Sequence, residues 1–217
     1  MQYLTFARNS TRPLEILCLG AHADDIEIGS GGAILTLLDR YPGTRVHWIV
    51  FAANEVRAKE ARASAGVFLA AASHANVAVY DFHDGFFPSD FRLLKKTFEA
   101  LKAEVSPDLV FSHVRNDHHQ DHRIVADLTW NTFRDHLILG YEVIKYDPDL
   151  GNPNVFVPLD PVIAQTKVNA LMDHFQSQRS RRWFIPETFL AMMHIRGVHA
   201  AAPSGLAEAF YGPKLCL

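Results

Sequence analysis

Short apolar runs alternate with longer amphipathic stretches along this chain, and the alternation predicts most of its elements. Glu15 to Gly20 (EILCLG) is brief, apolar and closed by glycine, which predicts a buried strand. Gly31 to Arg40 carries a helical pattern. Arg45 to Ala52 (RVHWIVFA), dense in β-branched and aromatic residues, predicts a second strand. Val56 to Ala72, Ala-rich with Lys, Glu and Arg, predicts a helix. A third strand over Asn76 to Phe82 runs into the turn signal Asp84-Gly85. Phe91 to Val105 has apolar residues at helical spacing, and Asp108 to His113 (DLVFSH), entered through Pro107, predicts a fourth strand. Asp121 to His136 predicts a helix and Tyr141 to Tyr146 a fifth strand. Beyond Tyr146, Pro148, Pro153, Pro158 and Pro161 predict an irregular connection with a short strand at Val155 to Val157. Helices are expected over Val162 to Phe175 and Glu187 to Ile195, whereas Pro203 to Leu217 carries little pattern.

This rhythm predicts an α/β fold, a mostly parallel sheet with helices on both faces. With 217 residues the chain can bury one sizeable core. Residues 1–217 are therefore expected to form a single domain, with a core of about 14–146 and a C-terminal extension of about 147–217.

Composition narrows the function classes. A formal net charge of -3 supplies no basic field for nucleic acid. Two cysteines, Cys18 and Cys216, make no disulfide framework, and Cys18, in an apolar run, is expected in the core. Met1 to Pro13 lacks the apolar stretch of a signal peptide. No uncharged apolar run reaches the roughly 18 residues that span a bilayer, so no integral membrane segment is expected and the cytoplasm is the expected compartment.

In a parallel α/β sheet, ligands gather beyond the carboxyl ends of the strands. After the first strand come His22, Asp24, Asp25 and Glu27; after the fourth, His113, Asp117, His118, His119, Asp121 and His122. Two ligand-rich loops at the two places where the fold expects function argue for a metal site. A hydrolytic metal such as zinc takes imidazole and carboxylate ligands and keeps a position open for water. A free carboxylate nearby then accepts the water proton, and a spare imidazole polarises or protonates the scissile group. The bland readings are weaker: Asp24 and Asp25 as charges at a helix N-terminus leave the matching His cluster unexplained. His47 is expected as a core or sheet-face residue, and His74, His136, His174, His194 and His199 as structural or exposed residues. Gly29-Ser30-Gly31-Gly32 does not make a dinucleotide loop, because G-x-G-x-x-G fails at Ile34; these glycines are expected to let the helix pack closely beneath the first loop.

Ala21-His22-Ala23-Asp24-Asp25 resembles the A-H-P-D-D signature of the PIG-L/LmbE-like family of metal-dependent de-N-acetylases, and His119-Gln120-Asp121-His122 resembles its H-x-D-H signature. The order of elements from Glu15 to about Tyr146 is similar to the family's Rossmann-like core. The resemblance implies His22, Asp25 and His122 as metal ligands, Asp24 as general base, and His119 as oxyanion stabiliser or acid. Asp121 would orient a neighbouring imidazole. Arg57, after the second strand, is expected to reach the mouth of the site and touch substrate. Ala23 replaces the usual Pro, and Ile26 separates the Asp pair from Glu27. The implied cofactor is Zn2+, with Fe2+ or Co2+ able to take its place. The implied partner is an N-acetylated amino sugar or glycoconjugate, with no nucleic acid; a homo-oligomer is left open.

The substrate is less legible. Gln178-Arg179-Ser180-Arg181-Arg182-Trp183 is a basic run with an aromatic, suited to an anionic carrier or simply to a solvated helix end. Phe86 and Phe87 suit either sugar stacking or lid packing. Two other classes compete: a hydrolase of a different bond, such as a phosphoester, which would call for a second metal, and a non-catalytic binding protein of the same fold.

Overall fold

The computed structural model describes residues 5–6 and 12–215. Five strands run parallel: β1 (Glu15–His22), β2 (Arg45–Ala52), β3 (His74–Val79), β4 (Leu109–His113) and β5 (Leu137–Tyr141). Two more, β6 (Val155–Pro158) and β7 (Ala207–Tyr211), join antiparallel, giving the order β3-β2-β1-β4-β5-β7-β6. Among the described residues six α-helices cover this sheet: α1 (Asp25–Arg40), α2 (Glu55–Phe68), α3 (Phe87–Glu104), α4 (Gln120–Thr132), α5 (Pro161–His174) and α6 (Pro186–His199). Side chains alternate across each strand. Ile16 and Cys18 of β1 therefore enter a core with Ile34 of α1, Phe68 of α2, Leu171 of α5 and Phe189 of α6. Leu17 and Leu19 enter a second core with Phe98 of α3 and Leu128 of α4. The expected α/β architecture with helices on both faces is what the two cores record.

Several elements depart from the expectation. α1 starts at Asp25 rather than at Gly31, so its glycines lie inside the helix. A Cβ on Gly29 would come within 2.1 Å of the Tyr141 ring, and one on Gly31 within 2.5 Å of Phe68. Close packing against those rings offsets the helix cost of glycine, about 1 kcal/mol each. The fifth strand is Leu137–Tyr141, not Tyr141–Tyr146. α4 ends at Thr132, short of His136, and the apolar run LILGY that follows suits a buried strand and a helix equally by pattern. A further departure is β7, unseen in the sequence because its inward position 208 is a glutamate. Glu208 is buried, accepts hydrogen bonds from the amides of Gly32 (2.8 Å) and Ala33 (2.7 Å), and pairs with buried Lys167 at 2.5 Å.

Cys18 is buried and free, and Cys216 lies outside the described residues. His47 is buried on β2 and pairs with Glu15 at 2.9 Å, as a sheet-face residue does. Among the described residues no helix is long and apolar enough to cross a membrane.

Candidate active site

β1 has β2 on one side and β4 on the other, and successive strands then proceed outward in opposite directions. The carboxyl ends of β1 and β4 thus meet at the topological switch point, where open α/β sheets bind ligands. β1 ends on His22, α1 opens with Asp25, and the loop after β4 leads through His119 into α4 and His122.

His22, Asp25 and His122 come together there. His22 Nδ1 stands 3.2 Å from His122 Nε2 and 3.4 Å from Asp25 Oδ2, and His122 Nε2 stands 3.5 Å from Asp25 Oδ1. Ligand atoms about 2.0–2.1 Å from one tetrahedral ion lie roughly 3.3–3.4 Å from each other. The two imidazole nitrogens stand at that spacing, and the Asp25 carboxylate faces them with a different oxygen each, Oδ2 towards His22 and Oδ1 towards His122. The electrostatics agree: His22 is held well above the ordinary imidazole range, because Asp25, Asp121 and Asp84 outweigh its burial. Asp25, although buried, is held well below the carboxylate range by His122, His113 and His22. Burial and neighbouring His113 pull His122 down to about 4, which leaves its Nε2 lone pair available.

Further residues hold these groups. Asp117 Oδ2 lies 2.9 Å from His122 Nδ1, directing Nε2 towards Asp25, while Asp117 Oδ1 accepts the His119 amide at 2.7 Å and the Lys145 ammonium at 3.1 Å. Asp121 Oδ2 lies 3.2 Å from His22 Nε2 and accepts the Gly85 amide at 2.6 Å; its Oδ1 accepts the Phe87 amide at 3.2 Å. Asp121 thus faces an imidazole, as expected, and also ties down the loop that carries Asp84, whose Oδ1 is 3.1 Å from His22 Nε2. His113 Nε2 accepts the Ala21 amide at 3.0 Å, and its ring stacks on His122 with centroids 3.9 Å apart. Asp117, His113 and Asp84 had no role in the sequence reading. The first two were visible inside the second cluster, and Asp84 was legible as part of the turn signal Asp84-Gly85. Three overlapping sets of donor atoms each lie within 4.8 Å of one another: His22, His119 and His122; His22, Asp84, His119 and Asp121; and Asp25, His113 and His122.

Asp24 is buried between the two loops. Burial raises its carboxyl, and Arg57 pulls it back through a hydrogen bond of 2.6 Å from Nη2 to Oδ1. Arg57 is positioned by the start of α2, where Asn54 caps the helix by accepting the Arg57 amide. His119 caps α4, its Nδ1 accepting the Asp121 amide at 3.2 Å. Its ring stacks on His122 and meets His22 edge-on. Burial and His22 lower its pKa. Glu27 is fully buried in α1, and burial pushes its carboxyl well above the ordinary range, with Ser64 pulling partly back.

A pocket of about 340 Å³ opens over these groups. His22, Asp24, Asp25, Arg57, His119 and His122 line its inner end, and Tyr146, Asp147, Gln178, Arg181 and Trp183 its outer wall. Phe87 is buried in the core behind His22, while Phe86 is exposed.

A His–Asp cluster with a further carboxylate beside it, at the switch point of a mostly parallel sheet, has the donor groups that a hydrolytic metal takes. Residues 17–133 match the PIG-L family, described as GlcNAc-PI de-N-acetylase. The chain belongs to that family of amide hydrolases. Solved structures share its fold. One is the N,N'-diacetylchitobiose deacetylase of Pyrococcus horikoshii (TM-score 0.68, 20% identity, 90% of this chain and 82% of that one). A second is the deacetylase of the A40926 pseudoaglycone (TM-score 0.69, 20% identity, 91% and 96%). A third is the 4-carboxy-2-hydroxymuconate hydratase of Pseudomonas putida (TM-score 0.69, 17% identity, 94% and 98%). At these identities the likeness speaks for the fold alone. No curated protein sequence matches the chain.

Proposed function

We propose that this chain is a zinc-dependent N-deacetylase that removes the acetyl group of an amino sugar or glycoconjugate and releases acetate. The observation that carries this reading is the meeting of His22, Asp25 and His122, at 3.2–3.5 Å from one another, beside Asp24 and His119 on one pocket floor. Those three residues would hold the metal, which when bound polarises the acetyl carbonyl and lowers the pKa of water towards ~7; iron or cobalt suits the same donors.

The chain's other residues divide the remaining work. Asp24 accepts the proton of the attacking water. Arg57, 2.6 Å away, fixes that carboxylate and works against the burial that raises its pKa. His119, its Nδ1 turned to the Asp121 amide, presents the rest of its ring to the pocket, where it stabilises the tetrahedral oxyanion or supplies a proton. The departing amine takes its proton from Asp24 or from His119. Asp121 and Asp117 keep His22 and His122 in their orientations.

The test incubates the metal-loaded protein with free N-acetylhexosamines, sugar nucleotides and glycolipids and measures acetate and new primary amine. Release of both from at least one class is expected. Cleavage of a phosphoester with no acetamide hydrolysed anywhere in the panel would overturn the reading.

The support of His122 has its own expected result. Asp117→Asn should retain the fold and lose about 10–100-fold in metal affinity, the usual effect of removing a carboxylate behind a metal-bound imidazole. Competition against a chelator of known affinity measures this. Wild-type affinity in the variant would show that Asp117 does not set the His122 ring.

A further inference from the structure

The inner end of the pocket comes from residues 17–133, which match the family. Tyr146, Asp147, Gln178, Arg181 and Trp183 of the outer wall all lie beyond them. The charge on that wall is built rather than incidental. Glu60 of α2 accepts two hydrogen bonds from Ser177, from its amide (2.8 Å) and its hydroxyl (2.6 Å). Ser177 Oγ in turn accepts from buried Gln178 Nε2 at 3.0 Å, and Gln178 Oε1 accepts Arg181 Nε at 3.0 Å. A relay of three side chains therefore holds one edge of the Arg181 guanidinium.

Its other edge is free. No carboxylate among the described residues stands within ion-pair distance of Arg181, and its two terminal nitrogens meet no protein acceptor there. Arg179 differs: it turns its guanidinium back onto the carbonyl of Met172 (2.6 Å from Nη2), near the end of α5. Lys145, also on the pocket, is already paired with Asp117 and Asp149. Beside Arg181 the wall is aromatic. Trp183 is half-buried and held edge-on by Phe184 and Phe189, and Tyr146 is 67% exposed. Asp147 shares the wall and suits a sugar hydroxyl.

We propose that Arg181, held by the Glu60–Ser177–Gln178 relay beside Trp183, binds an anionic group carried on the substrate away from its acetamide, a phosphate or a carboxylate. A guanidinium with one edge fixed and the other open matches the two oxygens of either group, and prior ordering removes part of the cost of binding. The inference rests on the deacetylase reading for the nature of the sugar, and on the relay for the charge.

The test uses the metal-loaded full chain and measures binding by calorimetry, apart from turnover. The probes are N-acetylglucosamine 1-phosphate, N-acetylmuramic acid and the neutral methyl glycoside of N-acetylglucosamine, against wild type, Arg181→Gln and Arg181→Lys. At least one charged probe should bind wild type about 10–100-fold more tightly than the neutral one, in line with a charge-assisted pair. Arg181→Gln should erase that ratio, and Arg181→Lys, which keeps the charge without the fork, should retain part of it. The charged probe that shows the preference identifies the group. Equal binding of charged and neutral probes by wild type, or a preference that survives in Arg181→Gln, overturns the proposal. Acetate release separates it from the deacetylase reading. Hydrolysis with no anionic preference leaves the enzyme and removes the anion; Arg181-dependent binding with no hydrolysis does the reverse.

Discussion

Changing His22, Asp25 and His122 together to Ala is expected to leave the purified protein without its metal and its turnover at the level of the metal-free control. On the proposed function each residue supplies a donor group, and the two imidazole nitrogens stand at the spacing of a tetrahedral site. No nearby group replaces all three: Asp117 is committed to His122 and Lys145, and His113 to the Ala21 amide. The triple change also removes both signs of charge at once. A single His122→Ala would leave Asp25 buried with less compensation, and breaking buried pairs costs about 3–5 kcal/mol. The triple variant is therefore the cleaner reagent, with its fold checked by circular dichroism. Elemental analysis gives the decisive number. Metal content unaltered from about one per chain would place the ion elsewhere, and the second donor set of His22, Asp84, His119 and Asp121 would be the first alternative to examine.

Asp24→Asn is expected to keep the metal and lose on the order of 10²–10⁴-fold in kcat, the usual effect of removing a general base. Asparagine keeps an oxygen for Arg57, so the 2.6 Å contact has a successor and the loop is not forced to move. What disappears is the charge that takes the proton. The pH profile distinguishes this from loss of shape. The wild-type rate should fall on the acid side as Asp24 protonates, and that limb should be absent in Asp24→Asn. In Arg57→Gln the limb should move to higher pH, because the guanidinium favours the ionised form of Asp24 and its loss raises the carboxyl's pKa. Wild-type turnover by metal-loaded Asp24→Asn would assign the base elsewhere.

The parts of this molecule legible in its sequence were those written in adjacent residues. β1, β2 and β4 are continuous apolar runs, and the two clusters at the ends of β1 and β4 each fit within a loop. The partnerships between distant residues were not legible. Arg57 was expected at the mouth of the site, and its grip on Asp24 depends on where Asn54 starts α2. Asp84 read as a turn because only the fold brings it to His22. The strand β7 was hidden for a related reason. Glu208 breaks the alternation of a strand until Lys167 and two helix amides are known to receive it.

That glutamate bears on how the enzyme comes into being. Chains emerge from the ribosome N-terminus first and begin folding as they appear. Every residue of the His–Asp cluster is made well before β7, yet the helix that carries Asp25 receives the Glu208 anchor only once β7 inserts between β5 and β6. Until then β5 offers an unpaired edge, the kind of surface that recruits foreign strands. The last third of the chain is thus the interval in which a nascent molecule of this protein is most open to misassembly, with its catalytic groups already synthesised.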